Sequence, residues 1–320
     1  MTLLIGRKLK YLAFAIALLA LATPSLLSCV HATRPAGRSF SHNGLERKYL
    51  LHSPSLKSID SGARPLLLVL HGGGGTNRGM VWLTNKKFNQ LADRDGFFVV
   101  YPQGVDKSWN DGRPDKISGA HRKDIDDIGF LRALIEYLLS EYPLDPNRVF
   151  ATGISNGGLM AFRLGCSLSD KIRAIAPVTA SLPSAILPRC RSESAVSLAV
   201  FNGTEDPLVP YNGGQITVFR RQRGEVLSTD DTIRIWQNKN RCSSEARVTE
   251  FPDLTADGTH VTKFEYTQCA AESKVALYRI DGGGHTWPDG RQYLPARRIG
   301  RTSRDINACD EIWEFFRSLK

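Results

Sequence analysis

The stretch Asn147-Arg148-Val149-Phe150-Ala151-Thr152-Gly153-Ile154-Ser155-Asn156-Gly157-Gly158-Leu159-Met160-Ala161-Phe162-Arg163-Leu164-Gly165 reads as a strand, a sharp turn and a helix. Val149 and Phe150 make a β-prone approach, and Leu159, Met160, Phe162 and Leu164 supply a helix-like apolar continuation. Ser155 stands at the apex, inside Gly153-x-Ser155-x-Gly157. This is the pattern of a nucleophile elbow, where a serine is held on a strained strand-to-helix corner with its hydroxyl turned away from the sheet. Side chains two residues to either side would collide, which is why glycines are found there. The helix that follows aims the positive end of its dipole at the place where negative charge develops.

On both sides of the elbow, apolar runs bounded by turn residues alternate with helical patterns. Strands are expected at Lys48–His52, Pro65–Leu70, Phe97–Tyr101, Ile172–Ala176, Ser197–Phe201 and Val275–Ile280. Helices are expected at Ile128–Leu139, with Asp126 and Asp127 in its first turn, and at Asp231–Asn240 and Asp305–Leu319. The alternation predicts an α/β fold with a mostly parallel central sheet and helices on both faces. Function in such sheets lies at the carboxyl ends of the strands.

Three of those ends carry chemistry. After the strand at 65–70 comes His71-Gly72-Gly73-Gly74-Gly75. No phosphate-loop or dinucleotide pattern continues from it. It reads instead as a loop that offers a backbone N–H to an oxyanion, with Gly73 as donor and Gly72 and Gly74 as alternatives; the partner donor is the N–H of Asn156. His71 is read as a brace for this loop rather than as a base. Among seven histidines, His285 stands out: it follows a strong strand within Asp281-Gly282-Gly283-Gly284-His285-Thr286-Trp287-Pro288. A serine needs such a base, and the base needs a carboxylate to fix its tautomer. The loop after Leu198–Phe201 supplies Asp206, with Glu205 as the second choice. The resulting order Ser155, Asp206, His285 is that of the α/β-hydrolase fold.

The chain has 320 residues. Arg7, Lys8 and Lys10 precede an apolar run from Tyr11 to Leu27, so residues 1–32 read as a secretory signal and 33–320 as one domain. The uninterrupted part of the run, Tyr11 to Thr23, is short for a membrane span. Cleavage after Val30-His31-Ala32 would free the protein; Leu26-Leu27-Ser28-Cys29 would instead lipidate Cys29 and tether it to a membrane. The formal charge is +10, from 42 Lys+Arg against 32 Asp+Glu. The clusters Arg220, Arg221, Arg223 and Arg297, Arg298, Arg301, Arg304 have no interleaved aromatics, so they read as solvated faces and not as a nucleic-acid surface. The cysteines have no metal-ligand spacing. Sequence proximity pairs Cys166 with Cys190 and Cys242 with Cys269, and leaves Cys309 as a buried thiol in the terminal helix.

Taken together, Leu70-His71-Gly72-Gly73-Gly74-Gly75, Tyr101-Pro102-Gln103-Gly104, Ser108-Trp109-Asn110, Asp126-Asp127-Ile128-Gly129-Phe130, Gly153-Ile154-Ser155-Asn156-Gly157-Gly158, Gly203-Thr204-Glu205-Asp206-Pro207-Leu208-Val209-Pro210-Tyr211 and Gly282-Gly283-Gly284-His285-Thr286-Trp287-Pro288 resemble the esterase family of polyhydroxybutyrate depolymerases and secreted feruloyl/acetylxylan esterases. The resemblance runs over roughly residues 44–318. It implies an α/β-hydrolase, a triad on Ser155, Asp206 and His285, no cofactor, the same two disulfides, and an ester substrate that is a small molecule, an oligomer or a polysaccharide side chain. Trp109, Tyr211 and Trp287 lie in the motif loops and are candidates for an aromatic wall beside the substrate. Two rival readings are a peptidase on the same scaffold, for which the chain offers no access-restricting domain, and a non-enzymatic envelope binding protein, which would not need all three triad residues.

Overall fold

The computed structural model describes residues 36–54, 62–190 and 194–319. The signal segment, both cleavage sites and Cys29 lie outside the described residues. In chain order the strands are β1 (Ala36–His42), β2 (Leu45–His52), β3 (Arg64–Leu70), β4 (Phe98–Pro102), β5 (Leu144–Ile154), β6 (Ala174–Val178), β7 (Ser197–Gly203), β8 (Gly214–Val218), β9 (Arg221–Val226), β10 (Ala246–Glu250), β11 (His260–Tyr266) and β12 (Val275–Asp281). Ten of them form one sheet in the order β1-β2-β4-β3-β5-β6-β7-β12-β11-β10, and β8 and β9 form a separate hairpin. The central run from β4 to β12 is parallel; β2 and β11 join its two sides antiparallel.

The central strands carry near-continuous apolar runs, such as residues 66–70 and 198–201, because both faces of the sheet are covered. Leu66, Leu68, Val149, Ala151, Leu198 and Val200 face one core with the helices Asp127–Glu141, Asn156–Ser167 and Thr229–Asn240. Leu67, Val69, Phe150, Ala199 and Phe201 face the other, with Lys87–Asp95 and Ala308–Arg317. Each fully buried large side chain contributes about 1.5–3 kcal/mol. The stack of Phe150 on Phe316, with centroids 4.7 Å apart, pins the terminal helix beneath β5.

The expected elements are present with shifted ends. The helix expected from Ile128 starts at Asp127, and Asp126 caps it by accepting the Gly129 N–H at 2.8 Å. Ser228 and Asn307 cap the two later helices. The strand expected at Ile172 starts at Ala174, because the Ile172 N–H is drawn back to the Leu168 carbonyl at the end of the preceding helix. The structure pairs Cys166 with Cys190 and Cys242 with Cys269. Cys309 is free and buried, and burial raises its thiol pKa.

Candidate active site

Ser155 follows the last residue of β5 and takes φ 55° and ψ −122°. This positive φ is strained for a residue with a Cβ and costs on the order of 1–3 kcal/mol. The Ser155 N–H donates to the Val178 carbonyl of β6 at 2.9 Å. The flanking glycines are obligatory. A Cβ on Gly153 would lie 2.7 Å from the Leu70 and Gly157 carbonyl oxygens, and one on Gly157 would lie 2.4 Å from Leu70 O and 2.6 Å from His71 O. The helix Asn156–Ser167 therefore packs directly against the end of β3.

The glycine loop lies beside this corner. His71 Nε2 accepts the Gly104 N–H at 3.0 Å, so Nδ1 carries the proton and donates to the Gly72 carbonyl at 2.8 Å. Burial lowers the His71 pKa from 6.5 to about 4, opposed only in part by the Gly72 bond. His71 is a neutral brace, as expected from its position. The Gly74 N–H is taken by Lys107 O and the Gly75 N–H by Gly72 O. Gly74 is thereby removed from the alternatives, and Gly72 and Gly73 keep N–H groups with no partner among the described residues. The Asn156 N–H heads its helix, where no intrahelical acceptor exists.

β7 and β12 are adjacent and parallel, so the loops leaving their carboxyl ends meet. His285 Nδ1 and Asp206 Oδ2 lie 2.7 Å apart, both buried. Asp206 Oδ1 accepts the N–H groups of Leu208 and Val209 at 2.8 and 2.9 Å. Glu205 is exposed and makes no such contact. The His285 loop is braced from behind: Gly284 N–H donates to Arg301 O, His285 N–H to Ile299 O, and Tyr293 OH to His285 O.

Ser155, His285 and the loop from His71 to Gly75 line one cavity of about 390 Å³. No Asp, Glu, Lys or Arg is among its lining residues; the walls are Met80, Trp82, Leu83, Ile154, Leu208, Val218, Phe219 and Leu294, with Tyr293. The expected aromatic wall is a different set. Trp109 and Trp287 are fully buried, one under the glycine loop and one against Phe88, and Tyr211 bonds Asp230 outside the cavity. The aromatic residues that line the cavity instead are Trp82 and Phe219, exposed by 51% and 68%, with Tyr293. Phe219 sits at the tip of the β8–β9 hairpin, where it and Arg220 have φ of 50° and 65°. Such a turn normally announces itself by Asn-Gly, so Val218-Phe219-Arg220-Arg221 gave no hairpin signal.

This sheet order, with a strained serine after β5 and a carboxylate–histidine pair after β7 and β12, defines an α/β-hydrolase. A solved acetyl xylan esterase from Aspergillus awamori shares the fold, with a TM-score of 0.55 at 13% identity over 88% of this chain and 98% of that one. No family model matches the chain. A protein of Nocardia uniformis subsp. tsuyamanensis that carries an esterase name, NocK, is 30% identical over 286 residues, 85% of this chain and 79% of its own. Feruloyl esterase B of Piromyces equi is 30% identical over 77% of this chain, which spans only 44% of that larger protein. The chain belongs to this esterase family and is an enzyme, a hydrolase of carboxylic esters.

Proposed function

We propose that the protein is an exported serine esterase with Ser155 as nucleophile, His285 as general base and Asp206 as the carboxylate that orients it. The observation that carries the reading is the 2.7 Å His285–Asp206 contact opening on the same cavity as the strained serine. With Nδ1–H given to Asp206, Nε2 is left as the base. It takes the Ser155 Oγ proton as Oγ attacks the ester carbon. The N–H groups of Gly73 and Asn156 hold the oxygen that becomes negative. Collapse expels the alcohol, protonated by His285, and leaves an acyl-enzyme. Water, deprotonated by His285, then attacks the acyl carbon, and Ser155 departs with the proton returned.

The substrate is an uncharged acyl group larger than acetyl, of the feruloyl type, carried on an alcohol that faces solvent. The charge-free walls and the exposed Trp82 and Phe219 support this, and the volume is at the small end for a drug-sized group. Residues 33–320 act as one catalytic domain. Two disulfides support export, and no helix among the described residues is long and apolar enough to cross a membrane. The test is hydrolysis of methyl ferulate, p-nitrophenyl acetate and butyrate, acetylated xylan and 3-hydroxybutyrate oligomers by wild type and Ser155→Ala. Methyl ferulate should be preferred and the variant inactive; ester hydrolysis that survives Ser155→Ala would overturn the mechanism.

A further inference from the structure

An oxyanion hole works only if its donors are held about 2.7–3.1 Å from one point. Here the two donor segments belong to different strands. Gly72 and Gly73 follow β3, Asn156 follows β5, and both lie beyond the last residues of those strands, Leu70 and Ile154. The sheet ladder alone does not set their separation. A third segment does. Trp109, fully buried, donates its main-chain N–H to Asn156 Oδ1 at 2.8 Å and accepts Asn156 Nδ2 on its carbonyl at 3.0 Å. Its indole Nε1–H donates to the His71 carbonyl at 2.9 Å, and its ring lies against the His71 imidazole with centroids 5.0 Å apart. One residue thus grips the side chain on one donor segment and the backbone at the root of the other.

The amide of Asn156 has a fixed sense. Its second Nδ2 proton goes to Asp111 Oδ2 at 2.7 Å. A flipped amide would set its carbonyl oxygen against that carboxylate, which can only accept. Asp111 is fully buried. Burial alone would raise its pKa, but Arg113, through two bonds of 2.9 and 2.8 Å, and His121, at 3.0 Å, hold it well below the usual carboxylate range. The far end of the loop is pinned as well: the Asn110 N–H donates to the buried Asp127 at 2.7 Å, and Asp127 pairs with Arg47 at 2.6 Å. These groups are buried and none lines the cavity.

We infer that Trp109, Asn156 and Asp111 form the positioning frame of the oxyanion hole: Trp109 sets the spacing of the two donor segments, and Asp111 locks the Asn156 amide that Trp109 grips. The inference rests on the proposed serine mechanism. Trp109 and Asp111 are positioning residues, since neither reaches the reacting atoms. The frame has a sharp consequence. Asn156→Ala keeps the backbone N–H that donates to the oxyanion and removes only the side chain that places it.

The experiment compares wild type, Asn156→Ala, Trp109→Phe and Ser155→Ala for kcat and KM on one ester, for inhibition by an alkylboronic acid, and for labelling by a serine-reactive phosphonate. The boronate forms a tetrahedral adduct whose oxygen occupies the oxyanion hole. With the frame in place, Asn156→Ala and Trp109→Phe lower kcat roughly 10- to 100-fold. KM moves less than about threefold, and boronate affinity falls in proportion to kcat. A merely structural role would lower the melting temperature without this split. Folded Asn156→Ala with kcat within about threefold of wild type overturns the frame, whatever becomes of Trp109→Phe. If Ser155→Ala retains hydrolysis and wild type takes no label, the serine mechanism fails first and the frame falls with it. An inactive Ser155→Ala beside a fully active Asn156→Ala sinks the frame alone.

Discussion

Replacing Asp206 by Asn exchanges one carboxylate oxygen for an NH2 group, removing the charge at almost no change in volume, and the site dictates the result. Oδ1 of Asp206 accepts two backbone N–H groups, from Leu208 and Val209 at 2.8 and 2.9 Å, while Oδ2 faces His285 Nδ1 at 2.7 Å. An asparagine must keep its oxygen toward the two N–H donors, because turning NH2 toward them leaves three donors facing each other in a buried place. Its NH2 therefore faces His285 and donates to Nδ1. The imidazole proton moves to Nε2, where the base is needed, and the histidine can no longer accept from Ser155. The fold keeps both backbone bonds, so stability changes little. The expected loss in kcat is roughly 10³- to 10⁴-fold, or about 4–5.5 kcal/mol. The assay is steady-state hydrolysis of p-nitrophenyl butyrate at pH 8, with the His285 tautomer read by nitrogen-15 NMR of the same protein. Folded Asp206→Asn with kcat within tenfold of wild type, or with the proton still on Nδ1, would refute this reasoning.

His71 titrates at about 4 in the folded protein against 6.5 ordinarily, so the unfolded chain binds more protons between these values. Its contribution to stability is present above pH 6.5 and is lost as pH falls to 4, by up to about 3 kcal/mol; urea midpoints measured across this window should fall less steeply in His71→Gln. Phe219→Ala and Trp82→Ala should raise KM for feruloyl esters roughly 3- to 10-fold and leave acetyl esters nearly unchanged, as steady-state kinetics would show. The Cys166–Cys190 bridge closes a loop of sequence separation 24, and the double Ala variant should lose about 3 kcal/mol in urea denaturation.

The parts of the fold legible in the sequence are those where local chemistry and packing agree. β3 reads as a strand because Leu66 to Leu70 are buried on both sides, and such a run has few other uses. The elbow is legible because contacts of 2.4–2.7 Å at Gly153 and Gly157 exclude every other residue. β1 and β10 carry no strand signal in the sequence, since they are largely exposed edge strands without apolar alternation. The β8–β9 hairpin was hidden because Phe219 and Arg220 occupy the positive φ that glycine or asparagine would have marked. Trp109 and Trp287 show the same limit from the other side. A tryptophan in an irregular loop has no period to tell inward from outward, so its proximity to a motif could not distinguish a wall from a brace.

The Ile299 and Arg301 carbonyls brace the His285 loop from a segment later in the chain, which on the proposed mechanism bears on when the molecule becomes competent during its own synthesis. A ribosome that has released everything up to Asp206 has made the serine and the carboxylate, but the histidine and the backbone that holds it are still to come. β12 must also slot beside β7 before the two loops can meet. With the proposed triad, a nascent chain is expected to stay inert toward esters until nearly all of residues 33–320 have emerged and β12 has paired with β7, so that completion of folding would itself be the activation step.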